Sequence, residues 1–402
     1  MTAQAETGSW PRTRCAALDW LVGETAGQPF LDNLFGELCE RLAADGVPLK
    51  RATLHLRTLH PQFAGATILW RAGVPGAELR TIGYGLFSDP RFLNSPVRML
   101  FEGAEGVRQR LDLTPPGDRQ EFGIYTELRA QGFTDYVALP MATTDGKRHA
   151  CSWATDVPGG FATAHLLRLD DILLALRMAA EIRLNRRIAK NLLNAYVGRR
   201  AGERVLAGEI TRGSGTTIRA TIWTCDLRGF TQISERWPRD DVIASLNDYF
   251  DTMAAPVEKH GGEILKFIGD AMLAIFPLEQ PDACWRAFNA ALDAREGMAA
   301  LNRQRREGGR EELGFGLALH AGDVMYGNVG SATRLDFTVI GPAVNVASRL
   351  ESLTKVLRRR VLVSGPFAGL CERSRARLQR LGAYPLRGVG EELEVYGLPD
   401  EA

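Results

Sequence analysis

The chain has 402 residues, of which 45% are apolar, and a formal net charge of +1 at pH 7. That length is sufficient for two domains with ordinary hydrophobic cores. A net charge so close to zero gives no reason to expect nucleic acid or an anionic membrane surface as a partner.

Three features of the sequence bear on where the protein resides. No run of about 18 uncharged apolar residues occurs, so we expect no membrane span. Residues 1–6 contain no basic segment followed by an apolar stretch, so we expect no signal peptide. The six cysteines include no CxxC pair, which is typical of reduced thiols in a cytosol. We therefore expect a cytoplasmic protein.

The first 163 residues combine strand-like and helical patterns. We predict helices over residues 19–44 and 119–131, and strands over residues 52–59, 67–71, 79–84, 135–142 and 149–155. Asp145-Gly146, between the last two strands, is a hairpin signal. This order of elements resembles a GAF-type or PAS-type sensor module. The resemblance implies a smaller α/β regulatory domain over residues 1–163, with an unknown small molecule or protein as its input. A domain that serves only for dimerisation is an equally open interpretation.

Residues 164–216 are predicted to form a helical connector followed by a linker. Apolar side chains recur at steps of three and four residues, at Leu173, Leu176, Ala180, Leu184, Ile188 and Leu192. This pattern fits an amphipathic helix packed on its own domain, and it also fits a parallel coiled coil between two protomers. Glycines from Gly198 to Gly215 then indicate a linker, so a second domain is expected over residues 217–402.

The second domain alternates strands and helices. We predict helices over residues 240–260, 282–303 and 343–353, and strands over residues 218–225, 263–268, 272–276, 314–320, 324–329, 335–340, 361–364 and 393–397. This alternation is typical of an α+β domain with an antiparallel, palm-like sheet.

Two aspartates in this domain lie beside apolar strand-like runs, where a solvated charge is not expected. Asp226 ends the first predicted strand, and Asp270 follows Gly269 in a predicted hairpin turn. Folded side by side, the two carboxylates would form a hard, anionic site suited to divalent cations that carry a nucleoside triphosphate. Each aspartate alone has an ordinary alternative, as a helix cap for Asp226 and as a turn residue for Asp270.

The turn after Asp226 is a second candidate for binding an anion. Its main-chain amides, from Leu227 through Phe230 to Thr231, are expected to face the same space as the Asp226 carboxylate. Successive amides of this kind form a nest for phosphate oxygens.

Three motifs follow one another in this domain: Asp-Leu-Arg-Gly-Phe-Thr at 226–231, Lys-Phe-Ile-Gly-Asp at 266–270, and Val-Asn-Val-Ala-Ser-Arg-Leu-Glu at 344–351. They resemble the three signatures of class III nucleotidyl cyclases, in the family's order, and the likeness covers residues 217–397. It implies a ferredoxin-like, palm-type catalytic domain. It also implies an adenylate cyclase, a phosphorus–oxygen lyase that converts ATP to cyclic AMP and pyrophosphate in signal transduction.

The resemblance assigns roles to single residues. It implies two Mg²⁺ or Mn²⁺ ions per site, held by Asp226, Asp270 and the carbonyl of Leu227. It makes Asn345 and Arg349 the catalytic residues that orient the ribose and stabilise charge on the α-phosphate. These two residues are four apart on a predicted helix and so share a face.

The family's site lies across a homodimer interface, with the metals on one chain and Asn345 and Arg349 on the other. This chain contains both sets, so a homodimer would carry two equivalent sites. The ordinary alternative for Arg349 is a surface ion pair with Glu351 or Asp336.

Nucleobase choice is predicted from hydrogen bonding. Lys266 is a pure donor, which matches N1 of adenine and opposes the N1–H of guanine. The family's second base-reading position falls on Thr338, whose hydroxyl accepts from the adenine amino group. ATP is therefore favoured over GTP. Threonine at this position is associated with a subclass often stimulated by bicarbonate, so a bicarbonate response is a hypothesis here. The alternative for Lys266 is a solvated strand residue.

Other interpretations stay open at this point. A guanylate or diguanylate cyclase is the enzymatic alternative, the latter suggested by Gly261-Gly262-Glu263. An inactive nucleotide-binding regulator is the other alternative, because Pro342 stands where the family often has aspartate. The six histidines show no metal-ligand spacing, so ordinary polar packing is expected for them.

Overall fold

The computed structural model describes residues 15–113 and 122–399. The chain divides into two compact units, Met1–Leu192 and Leu193–Ala402. In the described part of the chain, no helix combines the length and the apolarity needed to cross a bilayer.

The first unit is built around one antiparallel sheet. Its strands are β1 (Arg51–Arg57), β2 (Gly65–Arg71), β3 (Ala77–Ile82), β4 (Val107–Arg110), β5 (Asp135–Ala142) and β6 (Arg148–Thr155). The strand order is β3-β2-β1-β6-β5-β4, with every neighbouring pair antiparallel. The helices are α1 (Ala16–Gly23), α2 (Leu31–Ala44), α3 (Pro90–Leu93), α4 (Pro96–Glu102), α5 (Gly123–Ala130) and α6 (Thr163–Val197).

The core of this unit lies between one face of the sheet and helices α2 and α6. Leu54 of β1, Leu38 of α2 and Leu176 of α6 are completely buried in it. Helix α6 buries the face that the three- and four-residue steps predict, as far as Leu184. Packing on its own domain therefore accounts for the first part of α6, and a coiled coil over the remainder stays a prediction.

The first helix differs from the prediction over residues 19–44. It ends at Gly23, and a 3-10 turn at Thr25–Gly27 precedes α2. Gln28 is extended because it precedes Pro29, and a residue before proline avoids the helical region. The short, largely polar strand β4 was not predicted. Residues 119–121 of the predicted helix 119–131 lie outside the described residues.

The second unit contains a larger sheet. Its strands are β7 (Gly215–Arg228), β8 (Glu263–Ile268), β9 (Ala271–Pro277), β10 (Gly314–Gly330), β11 (Leu335–Ile340), β12 (Val361–Ser364), β13 (Gln379–Tyr384) and β14 (Leu393–Gly397). Its helices are α7 (Arg199–Leu206), α8 (Phe230–Arg236), α9 (Arg239–Lys259), α10 (Ala283–Glu307), α11 (Pro342–Leu357), α12 (Gly365–Leu370) and α13 (Glu372–Arg375).

The strand order is β13-β14-β12-β10-β7-β9-β8, and β11 pairs with β10. The sheet is antiparallel as predicted, except that β12 runs parallel to β10 after the crossover through α11. The α+β class is confirmed for this unit. One hydrophobic cluster places Trp223 and Phe276 with α9 and α10, and a second places Ile222 and Ile275 with α7 and α11.

Strand β10 is continuous, although the sequence predicts two strands separated near Gly322. Its register with β7 is unbroken from Gly314 opposite Arg228 to Gly327 opposite Gly215. A Cβ atom at Gly322 would lie 2.7 Å from the Cβ of Ala343. The glycine therefore allows α11 to approach the sheet and does not mark a turn.

Candidate active site

Asp226 and Asp270 lie on adjacent strands of the second sheet. The register of β7 with β9 places Asp226 opposite Ala271, the residue after Asp270. The sequence analysis predicts that this strand ends at Asp226, but β7 continues to Arg228. Gly229, with φ 73°, then takes the N-cap position of α8, and no side chain caps this helix. The interpretation of Asp226 as a helix cap is therefore wrong.

The two carboxyl groups interact directly. Asp270 is half-buried in the turn between β8 and β9, and its carboxyl group lies close enough to that of Asp226 for the two charges to interact. Burial and the charge of Asp226 together raise the pKa of Asp270 to about 6. Two adjacent carboxylates repel each other unless a proton or a cation is shared between them.

A lysine that was not predicted as a site residue lies beside this pair of carboxyl groups. The Nζ atom of Lys355, on α11, lies 3.1 Å from Oδ2 of Asp226. One helical turn earlier, Glu351 is buried, and its burial and the Asp226 charge raise its pKa to about 7. The spacing of four residues between Glu351 and Lys355 is the sequence signal that could have identified both.

The cluster fits a bound divalent cation. The charge of Asp226 acts on both Asp270 and Glu351, and the ammonium of Lys355 acts on all three carboxyl groups. Carboxylate oxygens are the hard ligands that Mg²⁺ prefers, usually together with substrate phosphates and water. The described residues contain no group of three or more His, Cys, Asp or Glu side chains arranged as a complete metal site. Phosphate oxygens and water would therefore complete the ligand set.

Leu227, Phe230 and Thr231 surround the turn after Asp226. The side chain of Leu227 is buried in the core, so only its main chain is available to a ligand. Phe230 is partly buried against the same core, and Thr231 is exposed in the first turn of α8.

The structure also brings Lys266 close to strand β11. Its Nζ atom lies 3.9 Å from Oδ2 of Asp336, so Lys266 is paired and not simply solvated. Thr338 lies two residues further along β11 and therefore on the same face as Asp336. Thr338 is only 4% exposed, and its hydroxyl has no hydrogen-bond partner among the described residues. Most buried polar groups in proteins have such a partner, so this orphan hydroxyl is a candidate ligand contact.

Asn345 and Arg349 are exposed on α11 and form no side-chain hydrogen bond or ion pair with other described residues. The alternative ion pairs of Arg349 with Glu351 or Asp336 are absent, since Glu351 faces Asp226 and Asp336 faces Lys266. At about 100° per residue, the face with Asn345 and Arg349 is turned roughly 120° from the one with Glu351 and Lys355.

Pro342 does not disturb α11. It occupies the first turn of the helix, directly after the N-cap residue Gly341. Proline is favoured there because main-chain amides in the first turn have no acceptor within the helix, so the lack of an N–H group costs no hydrogen bond.

Comparisons with known proteins concern mainly the second unit. Residues 215–399 match a family model described as the adenylate and guanylate cyclase catalytic domain. An adenylate cyclase from Anabaena cylindrica is 38% identical over 156 residues, which are 38% of this chain and 30% of that protein. Adenylate cyclase 1 of Rhizobium meliloti (strain 1021) is 34% identical over 173 residues, 42% of this chain and 26% of that protein. The chain thus spans less than a third of either relative.

Among solved structures, the guanylyl cyclase Cya2 is 30% identical with a TM-score of 0.41. That alignment covers 46% of this chain and 93% of the other. The matching family model includes both adenylate and guanylate cyclases, so the nucleobase has to be inferred from the residues of the site.

Proposed function

We propose that the adenylate and guanylate cyclase catalytic domain in residues 215–399 converts ATP to 3′,5′-cyclic AMP and pyrophosphate. The observation that carries this proposal is the pairing of Asp226 with Asp270 inside the matching segment. The pair is half-buried and has an excess of negative charge, as a site for metal-bound triphosphate requires.

Asp226, Asp270 and the main-chain carbonyl of Leu227 are proposed to hold two Mg²⁺ or Mn²⁺ ions per site. When bound, such ions supply Lewis-acid activation of the ribose 3′-hydroxyl and neutralise the phosphate charges. The chain's own part is to keep two carboxylates adjacent at the start of the α8 turn. The amides near Phe230 and Thr231 are proposed to contact the triphosphate.

Asn345 and Arg349 are proposed to act on the nucleotide bound mainly by a second copy of the chain. Both are exposed, and they lie on a face of α11 different from that of Lys355, which contacts Asp226. A homodimer would place them against the partner's aspartates, and two-fold symmetry would give two equivalent sites. The planar guanidinium of Arg349 suits the oxygens of the α-phosphate, and Asn345 would orient the ribose.

Lys266 and Thr338 are proposed to read adenine. The ammonium of Lys266 donates to N1 of the base, and Asp336 keeps it near β11. The unpartnered hydroxyl of Thr338 accepts from the exocyclic amino group. Guanine would place an N1–H donor against the ammonium and leave that donor unpaired, which is costly in a buried site.

Because threonine stands at position 338, we also propose that the chain belongs to the Thr-type subclass and that bicarbonate stimulates it. The first unit is proposed to be a regulatory, sensor-like domain. The bicarbonate proposal is tested by comparing activity in sodium bicarbonate and in sodium chloride at one pH and one ionic strength. Equal rates in the two salts would contradict it.

The proposed activity is tested with the purified full-length chain, given ATP or GTP with Mg²⁺ or Mn²⁺. The products are identified by mass spectrometry. We expect cyclic AMP and pyrophosphate from ATP, and a lower kcat/KM with GTP. A preference for GTP would contradict the roles of Lys266 and Thr338, and a cyclic dinucleotide would identify a diguanylate cyclase.

A further inference from the structure

Strand β1 of the first unit has an unusual polar face. Its odd-numbered side chains are Arg51, Thr53, His55 and Arg57, and its even-numbered side chains are apolar and buried in the core. β1 lies third of six strands, inside the sheet, so this polar face does not belong to an edge strand. Instead it lines a cavity of about 340 Å³. That volume lies within the range of small-molecule sites in proteins.

The opposite wall of the cavity is apolar and aromatic. It is formed by the 3-10 segment Tyr84–Ser88 and by helices α3 and α4, which contribute Phe87, Phe92 and Phe101. The ring centroids of Phe87 and Phe92 are 5.5 Å apart in an edge-to-face arrangement, and those of Phe92 and Phe101 are 6.1 Å apart. Such a cluster offers ring faces and edges to an aromatic guest.

The cavity floor contains polar groups without partners. Thr53 is 3% exposed, and its hydroxyl forms no hydrogen bond within the described part of the chain. Arg51 forms no ion pair or side-chain hydrogen bond with another described residue, and burial lowers its pKa. Glu127, which does not line the cavity, acts on Arg51 only through space. Unpartnered buried groups of this kind cost free energy unless a ligand or water satisfies them.

The charge of the cavity is positive. Among the described residues, its lining contains three arginines and one carboxylate, Asp89, whose Oδ2 lies 2.8 Å from the exposed Arg91. Asp89 also caps α3 through its side chain, so it is already satisfied. Burial and the nearby Arg51 lower the pKa of His55 to about 4, so this histidine is neutral at pH 7. Within the described residues, the guanidinium groups of Arg51 and Arg57 therefore remain without a carboxylate partner.

We propose that this cavity binds a small organic anion with an aromatic body. The oxyanion would accept hydrogen bonds from Arg51 and from the Thr53 hydroxyl, and the ring would lie among Phe87, Phe92 and Phe101. The guanidinium of Arg57, 5.7 Å from the Phe101 ring, adds positive charge at the same wall. A planar guanidinium pairs with a carboxylate or a phosphate, and either group supplies the required chemistry.

The test is isothermal titration calorimetry on the full-length chain. The anionic probes are phenylacetate, indole-3-acetate and phenyl phosphate. The neutral probes are the amides of the two acids, with benzyl alcohol as the neutral counterpart of phenyl phosphate. We expect at least one anionic probe to bind, and its carboxamide, or benzyl alcohol in the case of phenyl phosphate, to bind at least about tenfold more weakly. Comparing the carboxylates with phenyl phosphate distinguishes the two kinds of oxyanion. No binding by any anionic probe at millimolar concentration would overturn the proposal, and so would equal binding of the neutral probes.

Arg51→Met tests the location of the site. This substitution should lower the affinity for the best anionic probe by at least about tenfold, because a charge-assisted hydrogen bond is lost. Arg80→Met is the matched control, since Arg80 lies in the same sheet but is exposed, paired with Glu78 and outside the cavity. Unchanged affinity in Arg51→Met, or an equal loss in Arg80→Met, would contradict the assignment.

Thr53→Val separates ligand binding from folding. Because no described residue is a hydrogen-bond partner of this hydroxyl, the isosteric valine should not lower the thermal midpoint of the ligand-free protein. The same substitution should lower the affinity for the anionic probe by about fivefold. A loss of ligand-free stability together with unchanged probe affinity would mean that the hydroxyl has a structural role, and would overturn this contact.

Discussion

The ammonium nitrogen of Lys355 lies 3.1 Å from Oδ2 of Asp226, so a cation of the chain itself contacts a carboxylate proposed to bind metal. A divalent ion would compete with this ammonium for the same oxygen. Lys355 comes from α11 and Asp226 from β7, so the contact also joins the helix of the third sequence motif to the strand of the first.

Lys355→Met should therefore tighten Mn²⁺ binding in the absence of nucleotide. Because the pair is half-exposed, the expected gain is modest, about threefold. Electron paramagnetic resonance of free Mn²⁺ measures it directly. Lys259→Met is the matched control, since Lys259 pairs with Asp293 on helices α9 and α10, away from the aspartate pair. Weaker Mn²⁺ binding by Lys355→Met would contradict competition.

The Thr338 hydroxyl should matter for substrate and not for folding. Thr338→Val removes an unpartnered buried hydroxyl, so the free energy of unfolding should not fall. With ATP, we expect kcat/KM to fall by about fivefold to tenfold, through the lost hydrogen bond to the amino group. Steady-state kinetics and urea unfolding of one preparation measure both effects. A destabilised variant with unchanged kinetics would refute the base-reading role.

Two inactive variants should restore activity when they are combined in one dimer. Asp270→Ala removes a metal ligand, and Arg349→Ala removes the arginine proposed to reach the partner's nucleotide. A heterodimer isolated with two different affinity tags would contain one intact site. It should therefore show up to about half of the wild-type activity. The matched control pairs Asp270→Ala with Asp226→Ala, which damages the same half of each site and should stay inactive. Absence of activity in the first heterodimer would exclude a shared site.

Acidification should destabilise the second unit through His320. This side chain is buried beside Ser364, with Nδ1 2.9 Å from the hydroxyl, and burial lowers its pKa to about 4. The unfolded chain, with an ordinary pKa near 6.5, binds the proton more tightly, so the free energy of unfolding falls as pH falls from about 6.5 to 4. From pH 7 to pH 5 the cost is about 2 kcal/mol. Urea unfolding at both values should show a smaller pH dependence in His320→Asn, and an unchanged dependence would contradict the assignment.

The central part of the candidate site was predictable because it is local in sequence. Asp226 and Asp270 each stand out against an apolar strand, and the hairpin that carries Asp270 has short-range turn chemistry. Pairing between β7 and β9 then brings the two residues together. The long strand β10 was divided in the prediction because Gly322 resembles a turn signal, whereas it serves close helix packing.

Other features depend on contacts that the sequence alone does not specify. Lys355 follows the third motif, and only the packing of α11 beside β7 brings it to Asp226. Arg51 and Thr53 alternate with apolar residues, which indicates a strand with one solvated face. Only the folding of Tyr84–Ser88 and the next two helices over that face turns it into a cavity.

The proposed cyclase activity is tested most directly by measuring cyclic AMP formation from ATP by wild type, Asp270→Asn and Asp323→Asn, with Mg²⁺ or Mn²⁺. Asp323 is the matched control, because it is exposed on β10 and its nearest cationic partner is Arg219 at 3.6 Å. We expect cyclic AMP from wild type and from Asp323→Asn. In Asp270→Asn we expect a loss of activity of at least about a hundredfold with unchanged thermal stability. Full activity in Asp270→Asn would contradict the aspartate pair as the catalytic centre. Nucleotide binding by wild type without any cyclic product would identify a binding protein instead of a cyclase.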